Sequence, residues 1–178
     1  MHIFAQQIGI LAMSANVVSY QFKSKRTILA FQLLGSTLFA VNMFLLDAIM
    51  GGILNIVGIL RAIVYMQKER FGSNVKLINS GFMLIYALSY VAVFMVLKKE
   101  PSLVNLAIEL LPIIGMSVMT VGFSGTNAKT IRICGFINSP CWLIYNCVNF
   151  SIGGILCEII GLFSAIFAYF RLDKKIPS

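Results

Sequence analysis

Glu158 stands in the run IGGILCEIIGLFSAIF, with no other acidic or basic side chain between Asn149 and Arg171. An acidic residue at the centre of an apolar helix costs about 2.5–3.5 kcal/mol on insertion scales, taking aspartate as the guide. Residues kept at that cost face a cavity or handle protons. Sixteen positions earlier (158 − 142) lies Trp142, the single tryptophan of the chain. Phe39 and Asn55 repeat the same separation (55 − 39) in another pair of apolar runs. Two aromatic walls with an amide and a carboxyl are what a small polar ligand needs. A tryptophan in a helix also packs, and an asparagine also bonds to a neighbouring helix. The glutamate has no equally bland account, and it could couple binding to protons or select cationic solutes.

Other chemistry is poorly provided for. His2 is the one histidine, and Cys134, Cys141, Cys147 and Cys157 sit in apolar runs without a CxxC arrangement. They read as small packing residues. With no nucleophile–histidine–acid set, ligand cluster or phosphate loop, the chain is expected to be no enzyme and to carry no cofactor or metal.

The elements that position these residues follow from composition. Hydrophobic residues make up 59% of the 178 positions and charged ones 11%, against roughly 45–50% apolar in soluble domains. The fold class expected is an all-α integral membrane protein. Seven transmembrane spans are expected near residues 3–20, 28–46, 50–67, 79–97, 103–122, 131–148 and 152–170, with tight turns around Asp47 and Asn149–Ser151. The net charge of +8 punctuates the apolar runs and does not form the face of a folded module, so a nucleic-acid partner is not expected. Eleven basic residues fall on one side: Lys23, Lys25, Arg26, Lys68, Arg70, Lys76, Lys129, Arg132, Arg171, Lys174 and Lys175. Lys98 and Lys99 fall on the other, so the N-terminus is expected outside and the C-terminus in the cytoplasm.

Shifting the chain by 103 residues (142 − 39) lays helices 1–3 on helices 5–7 without a gap. Met13, Ser14 and Val18 fall on Met116, Ser117 and Val121; Thr27 and Ser36 fall on Thr130 and Ser139; Gly51 and Gly58 fall on Gly154 and Gly161. Three crossings end on the face opposite their start, so a second copy in the same orientation needs one extra span. The expected division is a first three-helix repeat at 1–70, an inverting linker helix at 71–100 and a second repeat at 101–178, a 3+1+3 plan. Trp142 and Glu158 each lie about eight residues from the turn between their helices, roughly 12 Å deep in a core of about 30 Å. The shift brings Phe39 and Asn55 to the same level.

A W-L-I-Y segment on the middle helix of such a repeat, with a polar residue sixteen positions on, resembles the SWEET and SemiSWEET sugar transporters, as does the turn KSKRT at 23–27. Over its whole length the chain is similar to YgjV-type bacterial inner-membrane proteins of the PQ-loop/MtN3 superfamily. The resemblance implies a substrate pocket of Trp142 and Glu158 with Phe39 and Asn55, and transport of a sugar or similar small solute by alternating access. No Pro-Gln pair occurs; Ser14-Ala15 and Ser117-Val118 hold its places. Hinge candidates are therefore Pro112, Pro140, Ser14 and Ser117, with glycine or buried serine softening the helices. Arg61 reads as snorkelling to headgroups, with closure of the inner vestibule as the alternative. Glu109 lines the outer entrance or lies at the wet interface. Gly51, Gly52, Gly58, Gly153, Gly154 and Gly161 are expected to allow close helix packing. A small-molecule substrate and the bilayer are the expected partners, with a homo-oligomer permitted. A non-transporting receptor or assembly protein of the same fold is the second expectation.

Overall fold

The structure is a computed structural model that describes residues 2–71, 74–125 and 127–173. The described residues form α-helices and no strands: α1 (His2–Ser19), α2 (Lys25–Leu45), α3 (Ile49–Phe71), α4 (Val75–Met95), α5 (Leu103–Ser124), α6 (Ala128–Val148) and α7 (Ile152–Ala168), which runs on into a π-helical turn at Tyr169–Asp173. Polar side chains start most of them. Ser24, Asn74, Ser102, Asn127 and Ser151 each accept a backbone N–H from the first turn of α2, α4, α5, α6 and α7 respectively. Such caps contribute about 1 kcal/mol apiece.

The two tight turns share one conformation at positions 103 apart (150 − 47). Leu46 (φ −100°, ψ 8°) corresponds to Asn149 (φ −92°, ψ 8°), and Asp47 (φ 57°) to Phe150 (φ 51°). Ala48 N donates to Met43 O at 2.9 Å, and Ser151 N to Asn146 O at 3.0 Å. These are the hydrogen bonds of a left-handed helix stop, and they turn the chain straight into the next helix.

Packing joins the helices into a closed cycle: α1 against α2, α2 against α3, α3 against α5, α5 against α6, α6 against α7, and α7 back against α1. α4 leans on α3 and α5. The pattern maps onto itself when α1–α3 are exchanged with α5–α7. The exterior is apolar, with Leu84, Leu88, Leu103 and Phe163 exposed, whereas Asn42, Arg61, Glu109, Arg132 and Asn146 are buried. That inversion suits a lipid solvent.

Among the described residues, α2, α3, α4, α5 and α7 are long and apolar enough to cross a membrane. Seven such spans were expected, and two fall short for different reasons. The apolar stretch of α1, Ile3–Ser19, is short. Helix α6 is long enough but carries Lys129, Arg132, Asn138 and Asn146.

Candidate functional site

A cavity of about 60 Å³ is lined by side chains from all six helices of the cycle. Phe39 and Asn55, Trp142 and Glu158 all reach it, and so does Arg61. Trp142 is buried and meets the Tyr145 ring edge-on at 5.7 Å. Phe39 is buried on α2. Asn55 turns its Nδ2 back to Gly51 O at 2.8 Å, so its amide is partly spent on its own helix. Glu158 is half-buried, with the Ser139 hydroxyl beside its carboxyl.

The remaining polar lining was not singled out from the sequence. Asn138, Trp142 and Asn146 are four residues apart, which puts them in one row along α6, and Gln32 and Ser36 occupy the same face of α2 as Phe39 and Met43. Asn16 comes from α1. The i, i+4 spacing around Trp142 was the available signal for the α6 pair.

Four buried side-chain atoms among the described residues have no hydrogen-bond partner: Asn16 Oδ1, Arg61 Nε, Asn146 Oδ1 and Glu109 Oε2. Orphaned buried polar atoms are few in native proteins and call for an explanation. Three of these four belong to lining residues of the central cavity. The fourth belongs to a second cavity. Asn16 Oδ1 and Asn146 Oδ1 lie against the glycine positions Gly35 and Gly154 of the neighbouring helices.

Arg61 does not snorkel. It is buried, and its Nη1 donates to Met116 O at 2.9 Å, with Tyr86 Oη at 3.4 Å and Thr120 Oγ1 at 3.5 Å. Its guanidinium lies 4.7 Å from the centre of the Phe123 ring. α4 and α5 supply these partners close by, so the cation need not reach the headgroups. Glu109 is not at a wet interface either. It is 1% exposed, paired with Lys99, and lines the cavity at the end of the bundle where α2 turns into α3 and α6 into α7.

The hinge candidates sit in unbroken helices. Pro112 is buried within α5 and Pro140 is exposed within α6. Ser14 was expected to soften α1 from the interior but is exposed, its hydroxyl bonded to Ile10 O at 3.0 Å, while Ser117 is half-buried. Of the glycines expected to allow close packing, Gly153 meets another backbone most closely: a Cβ there would be nearest to Gly9 C and would lie 2.6 Å from Gly9 Cα, so α1 and α7 touch backbone to backbone.

A family model for Imp-YgjV, described as a bacterial inner membrane protein, matches residues 3–176. The chain belongs to the Imp-YgjV family. This Imp-YgjV protein is accordingly a bacterial inner membrane protein, in keeping with its apolar exterior and its membrane-length helices. No curated protein and no solved structure matches it.

Proposed function

We propose that this Imp-YgjV protein transports a small polar solute, a sugar or similar hydroxyl-rich molecule, by alternating access around the central cavity. The observation that carries the proposal is one hollow within six helices whose polar lining mixes donors and acceptors from Asn16, Gln32, Asn138, Asn146 and Glu158. A hydroxyl both donates and accepts, so a polyol answers such a mixed lining, and Phe39 and Trp142 provide the apolar walls. At about 30 Å³ per water, the 60 Å³ cavity holds roughly two waters. A larger solute therefore requires the helices to part, as a transporter's must.

Hydrogen bonds cross between the two trios at both ends. At the turn end, Gly51 N donates to Tyr145 Oη at 3.0 Å and Ser151 Oγ to Asn42 Oδ1 at 3.0 Å. At the other end, Lys25 Nζ donates to Gly125 O at 2.7 Å, and Arg132 donates to Tyr20 O at 3.1 Å and Phe22 O at 2.6 Å. Each runs between the α1–α3 trio and the α5–α7 trio. In this proposal the trios are parallel repeats joined by α4 in the SWEET-like 3+1+3 plan, with the N-terminus outside, and rocking exchanges one set of bonds for the other. No catalysis is involved, and one chain suffices for a pocket.

Uptake of labelled sugars, polyols, amino acids and amines into proteoliposomes tests the proposal. Accumulation of at least one solute is expected, with a loss of about tenfold or more in Glu158→Gln, on the scale of one hydrogen bond to a charged group. Proton linkage adds that the wild type changes its rate with pH while Glu158→Gln does not; identical pH profiles remove the linkage. Binding without flux overturns transport in favour of a receptor.

A further inference from the structure

The second cavity has a volume of about 280 Å³, against 60 Å³ for the central one. Its polar lining is Asp47, Lys99, Glu109, Tyr145 and Asn149, and its apolar wall comes from residues such as Met50 and Val93. Tyr145 on this lining meets edge-on the Trp142 ring of the central cavity.

Two side chains that donate at this cavity are engaged within the protein. Lys99 Nζ is given to Glu109 Oε1. Asn149 Nδ2 donates to Tyr145 O at 2.9 Å. Its unpaired acceptors are Glu109 Oε2, which is buried, the exposed carboxylate of Asp47, and Asn149 Oδ1. The formal charge of the lining is −1 (Asp47 −1, Glu109 −1, Lys99 +1). A bare metal ion would leave most of 280 Å³ and the apolar wall unused. A primary ammonium supplies three N–H donors and a positive charge on a carbon chain that the wall can cover.

We propose that the second cavity is a binding site for a small organic cation bearing a primary ammonium group, with Glu109 Oε2 and Asp47 receiving the ammonium. The site is defined by equilibrium binding and does not depend on the transport function.

Isothermal titration of the full-length protein in nanodiscs with 4-amino-1-butanol and with 1,4-butanediol tests it, since the two differ only in the ammonium. The titrations use the Glu158→Gln background, which removes the carboxylate of the central cavity as a competing acceptor. The amino-alcohol is expected to bind about tenfold or more tightly than the diol, as one hydrogen bond to a charged group allows. Adding Glu109→Gln or Asp47→Asn should abolish that preference. Asp47→Asn guards against misfolding, because asparagine tolerates the left-handed backbone found there. Equal affinity for amino-alcohol and diol, or a preference that survives both added substitutions, overturns the site.

Discussion

The two seams between the α1–α3 and α5–α7 trios are built in opposite ways. Along α1 and α7 the contact is close and bonded from end to end. Gln6 ties the α6–α7 turn through Phe150 O at 3.3 Å and Ile152 N at 3.1 Å, Gly9 meets Gly153, and Ser164 Oγ reaches Val17 O at 3.1 Å while accepting from Gln21. Along α3 and α5, Arg61 donates to Met116 O and Thr120 Oγ1, with the Tyr65–Phe123 ring pair at 6.4 Å beside it. One end of that seam opens into the second cavity. A backbone-to-backbone contact cannot adjust without moving a helix, whereas a long side chain can change rotamer and release its partner. In the proposed transport cycle the α3–α5 seam is the one suited to part, and α4 packs against both of its helices.

The largest effect should come from filling the tight seam. Gly153→Leu drives a branched side chain into the Gly9 backbone, and overpacking costs typically 1–3 kcal/mol and occasionally more. A loss of about 3 kcal/mol is expected, read as a lower melting temperature in detergent and reduced yield. A variant with wild-type stability would show that α1 and α7 stand farther apart than the structure places them, and the contrast between seams would go.

That contrast was not readable from the amino acids, although much around it was. The shift of 103 put Phe39, Asn55, Trp142 and Glu158 at one level, and all four line one cavity, because depth in a helix follows from counting residues. Rotation about the helix axis does not follow so simply. In water an apolar stripe marks the inward face, but here Leu84 and Phe163 face outward and Met116 inward, all apolar. Asn16 and Gln32 therefore gave no sign that they reach the cavity. Arg61 failed as a reading for another reason: a cation on an apolar helix is sent to the headgroups unless partners are known, and Tyr86 and Met116 O come from other helices. The helix-stop residues Asp47 and Phe150 were legible only as tight turns, since neither is the glycine that usually marks a left-handed position.

Arg61→Gln should have the next effect, and it acts on the loose seam alone. Losing the bond to Met116 O costs about 1.5–3 kcal/mol for a hydrogen bond to a charged group, partly offset by removing a buried charge. Hydrogen exchange followed by mass spectrometry should show faster exchange in α5 around Met116, with α1 and α7 unchanged. Equal acceleration in both seams would mean that the six helices loosen as one body. Tyr86→Phe is a milder form of the same perturbation. It removes the hydroxyl placed 2.9 Å from Thr120 Oγ1 and 3.4 Å from Arg61, at about 1 kcal/mol, and the exchange should rise in the same part of α5 by less.

The smallest effect is expected at Gly161, and it decides whether α7 needs small residues generally or only where it meets α1. A Cβ at Gly161 would find Tyr20 Cε2 at 3.8 Å as its nearest neighbour, an ordinary van der Waals contact. Gly161→Ala should therefore leave the melting temperature nearly unchanged, within about 0.5 kcal/mol, as substitutions away from packed features do. Gly153→Ala, one carbon added on the same helix, should be clearly destabilising because its Cβ has the Gly9 backbone in its way. If both alanines are tolerated alike, the close approach of α1 and α7 is not what holds that seam, and the hydrogen bonds of Gln6, Gln21 and Ser164 must carry it instead. If both are damaging, α7 is tightly packed along its length, and Gly161 is held by more than the one ring near it.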